Sequence, residues 1–406
     1  MENRYDKYKD SGIAWIGEIP EHWEVCKLST LFFQHKQKNN NSQESNLLSL
    51  SYGNIKRKDI NTSEGLLPES FDNYNIIDKN DIVFRLTDLQ NDKKSLRSAL
   101  CKERGIITSA YVTIRKRGNI NSSYFNYLFR VYDECKVFYG MGDGVRQGVN
   151  FDDLRKLDVL LPQQIQQQSI ATYLDQKCGE IDELITLQEE MITKLQSYKQ
   201  SVITEAVTKG LDKNVPLKDS GIEWIGEFPE HWKVVKIKYL AKIKSGDSIS
   251  SNEIIQEGIY EVYGGNGLMG YCNKKNVNGF NIIIGRVGAL CGNVRLISES
   301  KYITDNALIL NCFDNALYPY MYIMLKAANL NNLNTSNAQP LITGSKVLNV
   351  SLPIPPLSEQ QSITDYLDQK CSEIDELISI KQQKIEKLKD YKKSLIFECV
   401  TGKRKV

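Results

Sequence analysis

The sequence has few of the residues on which metal sites and nucleophilic enzymes depend. Its 406 residues include only 3 histidines, and none of its 9 cysteines belongs to a C-x-x-C pair. This argues against a zinc site and, since the cysteine count is odd, against a disulfide framework. No apolar run approaches the ~18 residues of a transmembrane helix, and the polar N-terminus is unlike a secretory signal. We therefore expect a soluble protein of the reducing cytoplasm, without membrane contact.

Familiar catalytic motifs are also absent. The chain has no G-x-x-x-x-G-K-[ST] loop for a nucleoside triphosphate, no G-x-S-x-G, no H-E-x-x-H, and no [ND]-P-P-[YF] of the amino-methyltransferases. There is no excess charge of one sign either, because 52 Lys+Arg against 50 Asp+Glu leave a net charge of +2. Any nucleic-acid surface must therefore be local. We expect no catalytic residue, no metal site and no cofactor bound by this chain.

What the chain does contain is an internal duplication. KDSGIAWIGEIPEHW at 9–23 recurs as KDSGIEWIGEFPEHW at 218–232, and QQSIATYLDQKCGEIDELI from residue 167 recurs as QQSITDYLDQKCSEIDELI from residue 360. Between these elements the two halves show no obvious similarity. At ~150 residues per domain the length predicts two or three domains, and 41% hydrophobic residues can give each a core. The predicted organisation is a constant segment, a variable domain and a constant helix, all repeated once.

The second repeated element predicts two coiled-coil helices, each of about 40 residues and roughly 60 Å. Its apolar residues recur at alternating steps of four and three. The seam consists of Leu174, Ile181, Ile185, Ile192 and Leu195 in the first helix and Leu367, Ile374, Ile378, Ile385 and Leu388 in the second. Polar residues interrupt both seams at equivalent places, Gln188 with Lys381 and Lys199 with Lys392. They either fix the register of the helix pair or face a partner protein.

The distance that the second variable domain can span, between the end of the first helix and the start of the second, favours antiparallel helices. A domain of about 140 residues is roughly 40 Å across. In a parallel pair the helix ends that it joins would lie ~60 Å apart, and the short connector would have to run almost fully extended. Antiparallel pairing relates the two copies by an approximate twofold and places the variable domains at opposite ends of a rod.

The variable domains themselves are predicted to be α+β. Apolar and β-branched runs bounded by Gly, Asn and Asp predict strands. These runs lie at 81–86, 106–114, 260–263, 281–285 and 307–311, and helical patterns lie at 124–132 and 319–328.

All 4 tryptophans lie in the first repeated element, at positions 15, 23, 224 and 232, with His22 and His231 beside two of them. The histidines lack a companion ligand or nucleophile at a suitable spacing. Large aromatic side chains bury much apolar area. We interpret this element as an anchor that docks each variable domain onto the helices.

Gly265, Gly267 and Gly270 spell G-x-G-x-x-G after a predicted strand. A dinucleotide-binding loop needs a helix that begins inside the motif and an acidic residue about 20 positions later, and neither follows. Two alternatives stay open: a turn that lets the backbone approach a ligand or phosphate, and a purely structural hairpin.

Local charge marks two candidate DNA surfaces. Residues 85–117 carry nine Lys and Arg against three acidic residues, and residues 264–301 carry five against one. Arg and Asn recognise guanine and adenine edges, although such runs also occur as solvated faces. The candidates are Lys56, Arg57, Arg85, Lys93, Lys94, Arg97, Arg146 and Gln147 in the first half, and Asn266, Lys274, Lys275, Arg286, Arg295, Asn306 and Gln339 in the second.

Over essentially its whole length the sequence resembles the specificity subunit of type I restriction-modification systems. The resemblance rests on the duplicated K-D-S-G-I-x-W-I-G-E-x-P-E-H-W, on P-L-x-E-Q-Q-x-I at 356–363 and on Y-L-D-Q-K in both helices. LTDLQNDKKS at 86–95, YGGNG at 263–267 and GRVGALCGNV at 285–294 resemble recurrent target-recognition sequences. The sequence departs from the family pattern at the start of the first helix, where LPQQIQQQSI at 161–170 replaces the P-P-L-x-E-Q form.

The resemblance implies α+β target recognition domains at 1–165 and 210–357, and coiled-coil helices at 166–209 and 358–406, with pseudo-twofold duplication. Each domain would recognise one half of a bipartite, asymmetric double-stranded DNA sequence, with the helices as the spacer. Two methyltransferase subunits would methylate adenines with S-adenosylmethionine, and two ATP-dependent translocase subunits would add cleavage. This chain would be non-catalytic and bind neither cofactor. A coiled-coil protein-interaction scaffold and a nucleotide-dependent enzyme remain as alternatives.

Overall fold

The computed structural model describes residues 4–60, 68, 70–87, 89, 96–141, 148–288, 290–334 and 340–406. Two compact units divide the chain: unit 1 is Met1–Gln188 with Gln383–Val406, and unit 2 is Glu189–Gln382. Each unit holds one variable domain and a part of each long helix, so the helices are shared between the units instead of forming domains of their own. Nowhere in the described ranges is a helix both long and apolar enough for a membrane span.

The long helices are α4 and α7, as the heptad spacing predicts. The described helices are α1 Leu28–Leu31, α2 Ser122–Glu134, α3 Phe151–Leu154, α4 Gln164–Lys209, α5 Tyr318–Ala327, α6 Gly344–Leu348 and α7 Leu357–Val400. All the predicted seam residues of α4 and α7 are buried or half-buried. The helices predicted inside the variable domains are present as α2 and α5.

Unit 1 is built around a four-stranded antiparallel sheet. Its strands are β1 Tyr8–Asp10, β2 Glu18–Pro20, β3 Glu24–Lys27, β4 Phe32–Gln34, β5 Leu48–Ser51, β6 Asn54–Arg57, β7 Asn75–Ile77, β8 Ile82–Phe84, β9 Ser98–Leu100, β10 Gly105–Ile107, β11 Val112–Lys116 and β12 Asp158–Leu161. The sheet has the order β4-β11-β8-β9 and packs its apolar face against α2. The predicted strand at 106–114 is two strands, because a turn closed by Tyr111 N–H donating to the Thr108 carbonyl separates β10 from β11.

Unit 2 contains a second four-stranded sheet. Its strands are β13 Leu217–Asp219, β14 Glu227–Pro229, β15 Lys233–Lys236, β16 Ala241–Ser245, β17 Tyr260–Gly264, β18 Gly267–Cys272, β19 Asn281–Gly285, β20 Val294–Ile297, β21 Tyr302–Ile303, β22 Ala307–Cys312 and β23 Ser351–Ile354. The order is β16-β22-β19-β20, and α5 packs against it. Taken in chain order, this is the strand order of the unit 1 sheet. The two variable domains thus share a topology that their sequences do not reveal.

The two helices run antiparallel within each unit. In unit 1, Cys178 and Ile181 of α4 lie in one buried cluster with Leu395 and Cys399 of α7. In unit 2, Val202 and Ala206 of α4 lie in a cluster with Ile363 and Leu367 of α7. In both clusters the C-terminal part of one helix meets the N-terminal part of the other, which is the antiparallel arrangement that the reach argument favours.

The polar seam residues pair within the units. Lys392 of α7 binds Asp182 of α4 at 2.6 Å, and Lys199 of α4 binds Asp375 of α7 at 2.6 Å. Asp182 and Asp375 occupy the same position of the duplicated helix, as do Lys199 and Lys392. The two ion pairs are therefore copies of each other, and they favour the register interpretation of these lysines.

The tryptophan element packs against a helix end in each unit. Trp23 and Trp232 are 0% and 2% exposed. Trp232 faces Gly210 at the end of α4, while Trp23 and Pro20 face Gly402 just after α7. Both glycines have a positive φ, as expected where a helix ends. The predicted anchoring of the variable domains on the helices is therefore observed within each unit.

Candidate nucleic-acid interface

In unit 2 the glycine-rich segment forms the hairpin between β17 and β18. A Cβ on Gly265 would lie 2.7 Å from the Asn306 carbonyl oxygen, and a Cβ on Gly285 would lie 2.5 Å from the Gly265 carbonyl oxygen. Only glycine permits this approach of the turn to the end of β19. Since the glycines join two antiparallel strands and do not precede a helix, this hairpin lacks the strand-to-helix turn of a dinucleotide-binding fold.

The close approach of the hairpin brings four predicted DNA contacts together as the glycine-turn patch: Asn266, Arg286, Arg295 and Asn306. The Arg295 guanidinium donates to the Asn266 carbonyl at 3.0 Å, and the Arg286 backbone N–H donates to the Asn306 carbonyl at 3.0 Å. Both asparagines are exposed. The patch presents guanidinium and carboxamide groups, the side chains that contact phosphates and the edges of guanine and adenine.

Ser245 is a neighbour of this patch that the sequence did not indicate. Its Oγ lies 3.5 Å from Nη1 of Arg286, which is half-buried. The Arg286 Nε is buried and has no hydrogen-bond partner among the described residues. A single serine at the end of strand β16 carries no distinctive spacing, so only the fold could place it beside Arg286.

Two other predicted contacts of unit 2, Lys274 and Lys275, lie away from the glycine-turn patch. They follow the far end of β18, a strand of 6 residues and thus roughly 20 Å long. Lys274 forms an ion pair with Glu253 at 2.5 Å, and its hydrogen bond lowers the pKa of Glu253 to about 2. Lys275 is exposed, with its Nζ 3.4 Å from Ser300 Oγ.

In unit 1 the predicted contacts are dispersed. Lys56 and Arg57 are exposed on β6, where Arg57 binds the Glu103 carboxylate through Nε at 2.9 Å. Arg85 is half-buried just after β8.

Arg97 is 0% exposed, so its prediction as a surface contact is not supported in this structure. Its guanidinium donates to the Thr87 carbonyl and its backbone N–H to Asp133. Five predicted contacts, Lys93, Lys94, Arg146, Gln147 and Gln339, lie outside the described residues.

The basic residues at 85–117 are also less available for contact with DNA than their number suggests. Arg115 binds Asp81 and Asp78, each at 2.7 Å, and Arg104 binds Asp78 at 2.9 Å. The hydrogen bond to Asp81 is the largest cause of the raised pKa of Arg115. Both acidic partners precede the run in sequence, so a charge count over the run overstates its free positive charge.

His35, Asp78 and Asp81 are the one group with metal-ligand chemistry among the described residues, with ligand atoms within 4.8 Å of one another. Both carboxylates already bind Arg115, and Asp78 also binds Arg104, so two guanidinium groups balance the two negative charges. This arrangement is typical of a structural ion-pair network inside the domain.

Residues 229–390 match the family model of the type I restriction modification DNA specificity domain. The chain is 26% identical to the putative MjaX specificity subunit of Methanocaldococcus jannaschii over 96% of both proteins. It is 24% identical to the MjaVIII specificity subunit of the same organism, covering 82% of this chain and 80% of that subunit. Over most of its length the chain is therefore similar to type I restriction enzyme specificity subunits.

Further comparisons point to the same similarity. It is 34% identical to the Escherichia coli EcoprrI specificity subunit over 133 residues, which span 33% of that protein. A solved chain from a study of type I R-M complex assembly superposes with a TM-score of 0.71 at 17% identity, covering 94% of this chain and 98% of that one. The HsdS subunit from Thermoanaerobacter tengcongensis gives 0.51 at 17% identity, over 95% and 98%. At this identity the structures show a shared fold.

Proposed function

We propose that this chain is the specificity subunit of a type I restriction-modification system and that it binds double-stranded DNA through both variable domains, each recognising one half of a bipartite, asymmetric target. The observation that carries the proposal is the shared sheet order of the two domains, which present different candidate side chains. One fold with two different surfaces suits two different half-sites on one duplex. The helix pair would set the number of unread base pairs between them.

The partners follow from the duplication. Two copies of the tryptophan element and of the helix offer two equivalent docking surfaces, which suits two methyltransferase subunits. Those subunits would carry S-adenosylmethionine and methylate one adenine in each half-site, and two ATP-dependent translocase subunits would add cleavage. This chain would supply recognition and positioning, without catalysis.

The direct test is methylation mapping. The chain is co-expressed with its methyltransferase subunit in a host without adenine methylation, and modified adenines are mapped across the genome. We expect one split motif, which yields both half-sites and the spacer. A complex that co-purifies but modifies no adenine would count against the proposal.

Salt dependence separates DNA recognition from the alternative of a protein-interaction scaffold. If about 6 phosphates are neutralised, the logarithm of the affinity for duplex DNA should fall with the logarithm of the salt concentration at a slope near −5. A flat response would favour the scaffold.

The spacer function predicts a separable effect of helix length. Inserting or deleting about one helical turn in α4 between Gln188 and Lys199 should change the number of unread base pairs and leave both half-sites unchanged. The mapped motif measures both quantities. Altered half-sites would contradict a spacer role for the helices.

A further inference from the structure

The two variable domains carry a hairpin at the same place in their shared topology. The hairpin β5–β6 follows β4, and the hairpin β17–β18 follows β16, which in each unit is the first strand of the four-stranded sheet. Leu47, at the entry to β5, pairs parallel with Ile106 of β10. Val262 of β17 likewise pairs parallel with Tyr302 of β21. Since β10 and β21 each precede the last strand of their sheet, the two hairpins are structurally equivalent.

Each hairpin exposes large apolar side chains at its tip. Tyr52, in the turn between β5 and β6, is 71% exposed, and Leu268 and Met269, near the start of β18, are 52% and 51% exposed. None of the three belongs to a hydrophobic cluster of the described residues. A single exposed apolar residue is ordinary on a protein surface. The informative point is that two domains of dissimilar sequence both have such residues at the tip of the same hairpin.

The backbone at both tips departs from regular hairpin geometry. Tyr52 has a φ of 46°, in the left-handed region that bulky side chains rarely adopt. On β18 the register shifts between Val262 and Tyr263 and leaves Met269 without a partner on β17. This irregularity breaks the strand alternation, so the neighbours Leu268 and Met269 are both exposed. Irregular backbone of this kind occurs preferentially at functional sites.

A guanidinium group lies at the turn of each hairpin. In unit 1 Nη2 of Arg130 donates to the Gly53 carbonyl at 3.3 Å. In unit 2 Nη2 of Arg295 donates to the Asn266 carbonyl at 3.0 Å. Each exposed apolar tip is therefore accompanied by positive charge, which is complementary to the phosphates of duplex DNA.

The dimensions of a hairpin decide which groove it suits. A two-stranded β-ribbon fits the major groove of B-DNA, which is ~12 Å wide, better than the minor groove of ~6 Å. Among the base edges of the major groove the apolar group is the C5-methyl of thymine. On the basis of the proposed function, we propose that each hairpin tip enters the major groove of one half-site, where Tyr52 in one domain and Leu268 in the other contact a thymine methyl group.

The test removes the methyl group from the DNA. The complex with the methyltransferase subunit is titrated with duplexes of the mapped target in which all thymines of one half-site are replaced by deoxyuridine, which pairs in the same way. For each contacted methyl group the wild type should bind about fourfold more weakly, as expected when one methyl-sized group is no longer buried. Unchanged affinity for both substituted duplexes would overturn the proposal.

Two variants assign the contacts to the hairpins. Leu268→Ala shortens an exposed side chain, and Tyr52→Gly suits the positive φ of its turn, so both proteins should keep the wild-type melting temperature. Each variant should lose its sensitivity to deoxyuridine in one half-site and keep it in the other, and the half-site should differ between the two. If either variant stays as sensitive as the wild type in both half-sites, the contact of its hairpin is overturned.

Phe313→Ala is the matched control. Phe313 is 64% exposed and follows β22, a strand of 6 residues whose other end, roughly 20 Å away, pairs with Gly285. This variant should respond to deoxyuridine in both half-sites as the wild type does.

Salt dependence separates an apolar contact from a phosphate contact. Leu268→Ala and Tyr52→Gly should leave the salt slope of DNA binding unchanged, because neither side chain neutralises a phosphate. A smaller slope would contradict the methyl contact. Failure of the proposed function would show as an empty methylation map, whereas failure of this inference alone would leave the map intact and the response to deoxyuridine the same in both variants and the wild type.

Discussion

The two copies of the tryptophan anchor differ by one hydrogen bond, and restoring it should stabilise unit 1. In unit 2 the Glu359 carboxylate accepts from the Trp232 indole at 3.0 Å with one oxygen and binds His231 at 2.8 Å with the other. In unit 1 Gln166 has a single acceptor oxygen, which lies 3.1 Å from the His22 ring, and the buried Trp23 N–H has no partner among the described residues.

Gln166→Glu supplies the second oxygen. Satisfying a buried indole N–H is worth about 1–2 kcal/mol in the free energy of unfolding, and a carboxylate at the start of α4 adds a few tenths more through the helix dipole. Thermal melts followed by tryptophan fluorescence should show a transition raised by a few degrees. The reverse change, Glu359→Gln, should lower the stability of unit 2 by a similar amount.

A double-mutant cycle tests the cause of this gain. In a Trp23→Phe background the indole donor is absent, so Gln166→Glu should retain only the small dipole contribution. An equal gain in both backgrounds would refute the hydrogen-bond explanation, and so would a Gln166→Glu protein no more stable than the wild type.

The remaining predictions concern the helix pair, a buried carboxyl and the candidate contacts. Lys392→Asp should destabilise unit 1 by up to about 1 kcal/mol, because it breaks the ion pair with Asp182. Adding Asp182→Lys should restore most of the lost stability. Thermal melts in which the double variant is the least stable protein would contradict the ion pair. Burial raises the pKa of Asp133 to about 6, above its unfolded value of 3.8. The contribution of the neutral Asp133 carboxyl to stability is therefore fully present below about pH 4, and the free energy of unfolding falls by on the order of 3 kcal/mol as the pH rises through 6. Asp133→Asn should flatten that dependence in denaturation curves, and an unchanged pH profile would exclude Asp133 as the cause. Arg286→Ala should weaken DNA binding by about 1–3 kcal/mol without changing the melting temperature. Arg97→Ala should instead lower the melting temperature, because the Arg97 side chain is buried. Equal DNA affinity of Arg286→Ala and the wild type would remove Arg286 from the proposed DNA contacts.

Periodic and repeated features were the most predictable parts of the fold. The seam of α4 and α7 follows from side-chain spacing alone, since every third or fourth residue shares one helix face. The antiparallel direction followed from chain length and reach. The strand at Asn281–Gly285 was also predictable, because a continuous β-branched run is typical of a buried strand.

The candidate contacts were less predictable, because charge counts take no account of partners distant in sequence. The pairing of Arg115 with Asp78 and Asp81 depends on β11 lying beside β8, and the burial of Arg97 depends on the packing of β9 against α2. Gly265 and Asn306 come together because the glycine turn approaches the end of β19, which no spacing of residues encodes.

By itself the sequence determined that the protein is a duplicated chain with one long amphipathic helix and one tryptophan anchor in each half. These are local properties, carried by residues a few positions apart or by direct repetition. Only the tertiary structure decided that the two dissimilar variable segments share one sheet order, and which arginines remain available for contact with DNA. Such properties depend on contacts between residues far apart in the chain, where packing and pairing outweigh local preference.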